Sequence, residues 1–506
     1  MLTWIAPAFT LEALVFMLAG LAVGMIFGVI PGLSGVTAIA LLTPFTYGME
    51  PIQAIILMAA IYCGAVYSGS ISAILFNCPG DVPAVATAID GYPMRLKGEA
   101  GRALSAAMVS SGVGGIVGVV VAWFGAAQLI NIVFEFGPAE YAALALLGLA
   151  LVANIGAKDP IKGMVSVMLG LLLGCIGSDP VQGSLRFTFG KVYLYSGISF
   201  VPALIGIYAI AEVFNQYSHI KDRQKLEALT NKDSGKYNGG FSKADIKLAL
   251  PHWARNSIIG TLIGMLPGAG STIAALVGYG VARSTSKNKK EFGNGTVEGV
   301  IGPEVANNAA VGGAFVPLLT MGIPGSSSTA LILNVFLIHG LQPGPGLFSN
   351  QPQLVYPIFA SMLIVNILIL FVPKYLIKYI VKVLQIPFKY MGAAIMFVAI
   401  IGAFAINNRI QDVFLTLIFG LLGFVMTKFK YSPAAMALGL ILGPILEKNF
   451  RQMLQINRGD LSLFFTRPIA MVMLAIALFL IGKGFYQGLK SKNKIKAADN
   501  QNGKAI

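Results

Sequence analysis

Long apolar blocks, each about the length of a membrane-crossing helix, alternate with short polar connections along most of the chain. They fall near 10–30, 35–49, 52–76, 103–130, 139–156, 161–178 and 197–215, and again near 256–282, 303–320, 326–340, 353–384, 389–407, 410–427, 432–446 and 467–487. Crossing a ~30 Å hydrocarbon core takes about 20 apolar residues, so the pattern predicts an all-α integral membrane protein of roughly 10–14 membrane segments. A β-barrel would instead show short alternating strands. Between the two sets of blocks, the stretch KDRQKLEALTNKDSGKYNGGFSKADIK marks a hydrophilic connection over 216–247.

Composition agrees: 56% of the 506 residues are hydrophobic and 11% charged, with a mean hydropathy of +0.76, which excludes a soluble enzyme. The net charge of +15 sits in the connections, as in loops retained in the cytoplasm, rather than on a nucleic-acid surface. Cys63, Cys78 and Cys175 lie in apolar stretches without CxxC or Cys/His spacing, so neither a disulfide framework nor a metal site is indicated. The start MLTWIAPAFTLEALVF has no Lys or Arg ahead of its apolar run and reads as the beginning of the first membrane segment. At the other end, Lys492, Lys494 and Lys496 lie in a basic tail, 488–506, expected to be cytoplasmic and disordered.

The second half laid over the first reveals an internal repeat, with halves at 1–215 and 248–487. GVIPGLSG at 28–35 matches GMLPGAGS at 264–271, and NCPGD at 77–81 matches GIPGS at 322–326, with displacements of 236 and 245 positions. Loop charges point to opposite orientations. The first motif is flanked by Glu12 and Glu50, whereas its counterpart is flanked by Lys243, Lys247, Arg255, Arg283, Lys287, Lys289 and Lys290. After the second motif the bias reverses: Arg95, Lys97 and Arg102 follow in the first half, and the uncharged LQPGPGLFSNQPQ in the second.

Proline and glycine break helices and free backbone groups that lipid cannot satisfy. Residues 256–266 would form a helix of about 16 Å, half a membrane, which predicts a re-entrant hairpin with its tip at Pro267 to Ser271 and another at Pro31 to Gly35. Discontinuous helices at matching places in two inverted halves point to a midplane binding site. The candidate site comprises Pro31, Gly32, Gly35, Asn77, Pro79, Gly80, Pro267, Gly268, Gly270, Gly322, Pro324 and Gly325, with the hydroxyls of Ser34, Thr37, Ser271, Thr272, Ser326, Ser327 and Ser328. Half-helix amino termini suit a carboxylate, and oxygen ligands near Ser34, Asp81, Ser271 and Ser326 suit Na⁺. Close helix packing is the competing account of the small residues. Asp81 reads equally as a cation ligand or as a cap for the helix from Val82. Asn307 and Asn308 offer amides to substrate or ion, or else bond between helices. Glu304 and Asp90 are expected at the interface.

Together GVIPGLSG, NCPGDVPAVATAIDGYP, GMLPGAGS, PEVANNAA and MGIPGSSSTALIL make the chain, from about 10 to 485, resemble the large membrane subunit of the tripartite tricarboxylate transporter family. The resemblance implies a secondary active importer of carboxylates such as citrate, driven by a Na⁺ or H⁺ gradient and without a cofactor. It also implies a small four-span membrane subunit, a periplasmic solute-binding protein and a Gram-negative inner membrane. An elevator-like movement is expected by analogy with other hairpin-containing carboxylate transporters. Competing readings are another binding-protein-dependent carboxylate importer, a passive anion channel and a membrane enzyme. Against a pump, Gly190-Lys191 and Gly482-Lys483 lack the Ser or Thr of a phosphate loop. Against an enzyme, His219, His252 and His339 lie near segment ends without a catalytic constellation.

Overall fold

In lipid every backbone polar group must find its partner inside the protein, and the apolar blocks accordingly fold as helix. A computed structural model describes residues 2–155, 159–221, 224–225, 228, 237, 239–268 and 270–502. Much of the expected 216–247 connection, Ala269 of the third motif and residues 503–506 lie outside the described residues. The chain is 79% helical, and the strands among the described residues form one hairpin, Gly177–Ser178 against Leu185–Arg186.

Among the described residues eight helices are long and apolar enough to cross a membrane: Leu11–Val29, Pro51–Phe76, Ala100–Val133, Phe200–Ser218, Pro352–Ile369, Phe388–Asn407, Ile410–Lys428 and Pro468–Gln487. Four shorter apolar helices accompany them, at Gly35–Gly48, Pro138–Asn154, Pro160–Gly174 and Ser327–Ile338. Several boundaries differ from expectation. The run at 353–384 is two helices, Pro352–Ile369 and Val372–Val383. The helix before Pro267 begins at Lys243, not near 256, because Ser242 and Asp245 close a capping box there. Its 22 residues rise about 33 Å, so this arm is no half-helix. The backbone after Pro468 stays helical to Asn502, where a disordered tail was expected.

Contacts divide the chain into two compact units, residues 1–134 with 201–424, and 135–200 with 425–506. Both repeat halves contribute to the first unit, which holds all four broken motifs. At its centre lie Pro51–Phe76 and Glu298–Met321, the matching helices of the two halves, each buried nearly all round. Their apolar residues cover every face, as burial from all sides requires.

In the second unit, Pro160–Gly174 packs on Pro433–Ile456 through small residues. Gly170 faces the Met436 carbonyl and Gly439 the Val167 carbonyl, so the backbones approach closely. The strand hairpin is braced by ions: Arg186 forks onto Glu447 at 2.6 and 3.0 Å, and Arg451 pairs with Asp179. The Gln182 N–H, the Arg451 guanidinium and the Val181 N–H hold the Asp179 carboxyl well below the usual carboxylate range.

Candidate functional site

Each half contains two interrupted helices, and the interruptions repeat in detail. The first, Leu11–Val29, stops at Ile30 and resumes at Gly35 behind Ser34. In the second, Pro51–Phe76 ends on a left-handed Asn77 (φ 52°) and the chain resumes behind Asp81, which accepts the Val82 N–H at 2.8 Å. The third runs from Lys243–Gly264 to Gly270–Thr285. In the fourth, Glu298–Met321 ends on a left-handed Gly322 (φ 71°) and resumes behind Ser326. Asn77 thus corresponds to Gly322, and Asp81 to Ser326.

The two breaks of each half also meet in the same way. A Cβ on Gly80 would lie 1.9 Å from the Gly28 carbonyl oxygen, and one on the matching Gly325 would lie 2.9 Å from the oxygen of the matching Gly264. Glycine is required because the second break rests on the backbone ahead of the first. In the second half the Gly268 N–H also donates to the Gly325 carbonyl at 3.0 Å.

Across the halves, the buried Tyr62 hydroxyl donates to Ser326 Oγ at 3.1 Å, with Asp81 and Ser271 in its surroundings. The Gly35 N–H faces the Asp81 carboxylate. One buried tyrosine of the first half therefore gathers Asp81 with two hydroxyls of the second. Ser326 is itself fixed by a capping box with Thr329: the Thr329 N–H donates to Ser326 Oγ at 3.2 Å and the Ser326 N–H to Thr329 Oγ1 at 2.8 Å. Ser34 stands at its helix start without a capping bond, and Thr37 donates to the Tyr208 carbonyl at 3.2 Å. Pro31 accepts from Gln216 Nε2 at 2.9 Å. Pro267 and Pro324 are buried, Pro79, Gly270, Thr272 and Ser327 half-buried, and Ser328 buried, while Gly32 and Asn77 are exposed.

Asn307 and Asn308 are buried in mid-helix. Asn308 Nδ2 donates to the Glu304 carbonyl at 3.0 Å and to Asn307 Oδ1 at 2.6 Å, so these bonds stay within one helix. Asn307 Nδ2, with the Glu304 carboxyl in its surroundings, and Asn308 Oδ1 make no hydrogen bond among the described residues, which is uncommon for buried polar atoms and fits a ligand or water site.

Two acids expected at the interface are fully buried. Glu304 accepts from Thr87 Oγ1 at 2.5 Å and Ser111 Oγ at 2.7 Å, joining residues of both halves. Asp90 accepts the N–H groups of Gly293, Gly295 and Thr296 at 2.9, 2.8 and 3.0 Å and the Tyr279 hydroxyl at 2.9 Å. Each carboxyl is satisfied by donors that only the folded chain supplies, and this makes deep burial tolerable. Tyr62, Tyr208 and Glu304 were not among the residues expected at the site. The spacing of Glu304, Asn307 and Asn308, one helix face, carried a signal. For Tyr208 the cue is structural: it lies in a π-helical turn, Gly206–Ile210, and its buried hydroxyl, with Ser327 in its surroundings, makes no hydrogen bond among the described residues.

Among the described residues no three His, Cys, Asp or Glu side chains cluster as metal ligands. The Asp81 carboxylate and the Ser271 and Ser326 hydroxyls gather around Tyr62 instead, oxygen groups suited to a hard monovalent cation, beside helix starts suited to an organic anion. Broken helices that bring such groups together inside a membrane bundle define a solute carrier. The chain matches the family model of the tripartite tricarboxylate transporter TctA family over residues 14–438. It belongs to that family, and so to a family of transporters.

Two relatives come from Agrobacterium vitis. An uncharacterized 52.8 kDa protein in the TAR-I ttuC' 3' region is 38% identical over 485 residues, covering 96% of this chain and 95% of the relative. An uncharacterized protein in the TAR-II ttuC' 3' region is 42% identical over 233 residues, 46% of this chain and 96% of that protein. No solved structure matches the chain.

Proposed function

We propose that this chain is the large permease subunit of a binding-protein-dependent secondary importer of tricarboxylates or related carboxylates. It works in a bacterial inner membrane with a small four-span subunit and a periplasmic binding protein, and a Na⁺ or H⁺ gradient drives it. The observation that carries this reading is the meeting of Asp81, Ser271 and Ser326 around Tyr62, between broken helices of both halves. In this reading the cation lies beside Asp81 and Ser34, where the chain offers a carboxylate. Substrate carboxylates lie at the helix starts behind Ser271 and Ser326, where N–H groups and neutral hydroxyls favour an anion. Asn307 and Asn308 supply further amide contacts. Opposite loop charge bias supports an inverted repeat, and an elevator-like movement of the unit holding the breaks supplies alternating access.

The test is uptake of radiolabelled carboxylates into proteoliposomes containing this chain, its small partner and the cognate binding protein, with and without an inward Na⁺ gradient. Concentrative uptake that needs Na⁺ is expected. Accumulation driven by a proton gradient alone would replace the ion and keep the importer, whereas equilibration without accumulation would replace the importer with a channel.

A further inference from the structure

The Val372–Val383 helix takes no part in the broken-helix site, and its pattern, VPKYLIKYIVKV, differs from that of the membrane spans around it. Lys374, Lys378 and Lys382 recur at every fourth position and form one stripe, and all three are exposed. Tyr375 and Tyr379 flank that stripe, 70% and 55% exposed. Pro373 and Ile380, on the side away from the tyrosines, are buried, as is Val381 at the edge of the lysine stripe. One face is therefore covered by protein while the other presents cations beside aromatic rings.

Its length fixes where such a helix can lie. Twelve residues rise about 18 Å, too little for a ~30 Å core, and the helix joins two spans, Pro352–Ile369 and Phe388–Asn407. It therefore lies along a membrane face. That face is the basic one, because the far end of Pro352–Ile369 carries the uncharged LQPGPGLFSNQPQ, and lysine and arginine mark the cytoplasmic side.

Among the described residues the lysines have no carboxylate partner. From Phe371 to Tyr390 there are four lysines, Lys389 being the fourth, and no Asp or Glu. Three of the ammonium groups lie over rings instead: Lys378 4.8 Å and Lys382 6.0 Å from the Tyr379 ring centre, and Lys389 4.8 Å from that of Tyr390. Cation–ring contacts hold the lysine heads near the aromatic level without neutralising them.

We propose that the Val372–Val383 helix lies in the cytoplasmic headgroup layer and binds anionic phospholipid, with lipid phosphates meeting Lys374, Lys378 and Lys382. Tyr375 and Tyr379 sit at headgroup level, where amphipathic rings prefer to be. A zwitterionic headgroup brings its own cation and gains little from the stripe, so the helix selects for net negative lipid. The occupant follows from charge: an exposed row of lysines at a membrane face, next to the one abundant source of phosphate in that layer.

The test uses the full chain in phosphatidylcholine vesicles, with Tyr379→Trp as a local reporter and the parent protein's fluorescence subtracted. Brominated phosphatidylglycerol should quench the added tryptophan at lower mole fraction than brominated phosphatidylcholine, with a preference of about five-fold for each engaged lysine. High salt should weaken that preference. In the Lys374→Gln, Lys378→Gln, Lys382→Gln triple variant both lipids should quench equally, because the ring stays at the interface while the charge is gone. Glutamine keeps helix propensity at exposed positions, and a monodisperse elution profile checks the fold. Equal quenching of the unaltered helix by both lipids would overturn the proposal, as would an undiminished preference in the triple variant. Quenching by neither lipid would overturn it too, and would give this face to an acidic protein partner.

Discussion

The two halves of the chain build their interruptions with the same backbone and different chemistry. Asn77 and Gly322 both end their helices in the left-handed region, and Gly80 and Gly325 both rest against an earlier glycine's carbonyl. The residue that opens the next helix is Asp81 in one half and Ser326 in the other. Ser326 is locked into a reciprocal cap with Thr329, whereas Asp81 caps through one oxygen to the adjacent Val82 N–H. The repeat therefore preserves the geometry that frees backbone groups and puts a carboxylate, Asp81, where the second half has the hydroxyl of Ser326. In the proposed importer this difference lets one tip favour the cation and the other the substrate carboxylate.

The comparison breaks most forcefully at its shared element. Gly80→Ala drives a methyl to 1.9 Å from the Gly28 carbonyl oxygen, a clash with backbone at the upper end of overpacking costs, ~3 kcal/mol. Most of the folded protein should be lost, as read from monodisperse yield in detergent. Gly325→Ala, with its nearest atoms at 2.8 and 2.9 Å, should cost less, about 1–2 kcal/mol. If Gly80→Ala expressed and unfolded like the parent, the first-half breaks would not rest on each other.

The differing element should give a crossed result. Asparagine caps a helix about as well as aspartate, so Asp81→Asn should keep the parent's thermal stability while its ion-dependent uptake falls at least about ten-fold, the loss of one charged ligand. Ser326→Ala should do the reverse, costing about 1 kcal/mol of stability through the lost cap and leaving ion dependence in place. Should Asp81→Asn keep the parent's ion dependence, Asp81 is a cap alone. The link between the halves weighs less. Tyr62→Phe removes one buried hydrogen bond, about 1 kcal/mol, but Ser326 Oγ keeps Thr329. A thermal scan should show a small loss, and a loss larger than that of Ser326→Ala would make Tyr62 the main support of the junction.

Much of this was legible in the sequence, for identifiable reasons. Helical class and most spans follow from run length, since nothing but a helix satisfies an apolar 20-mer in lipid. The four breaks were visible because proline and glycine act locally. What depended on other segments was not. Glu304 and Asp90 read as interfacial because isolated acids in apolar runs are costly, and their donors, Thr87 and Ser111 in one case and the 293–296 turn in the other, lie about 190 to 220 positions away. Tyr62 looked like one more apolar residue until Ser326 was placed beside it. Proline also misled: the apolar run 353–384 contains Pro373, which opens a new helix instead of kinking a long one. The compact units could not be read from the repeat, because 135–200 of the first half belongs with 425–506.

The smallest expected effect separates backbone from side chain at the left-handed positions. Asn77 is exposed and sits at φ 52°, a conformation that glycine reaches more readily and other residues only at a cost of ~1–2 kcal/mol. Asn77→Gly gains there and loses through the greater freedom of the unfolded chain, so stability should stay within about 0.5 kcal/mol of the parent. Asn77→Ala should lose about 1 kcal/mol in the same thermal scan. The matching Gly322 is less forgiving, because a Cβ there would lie 2.6 Å from the Pro343 carbonyl oxygen. If the two halves share only their backbone at this point, carboxylate uptake by Asn77→Gly matches the parent. A ten-fold fall in uptake at unchanged stability would instead make the Asn77 amide a ligand, and the first half would then carry a second side-chain contact that Gly322 cannot supply.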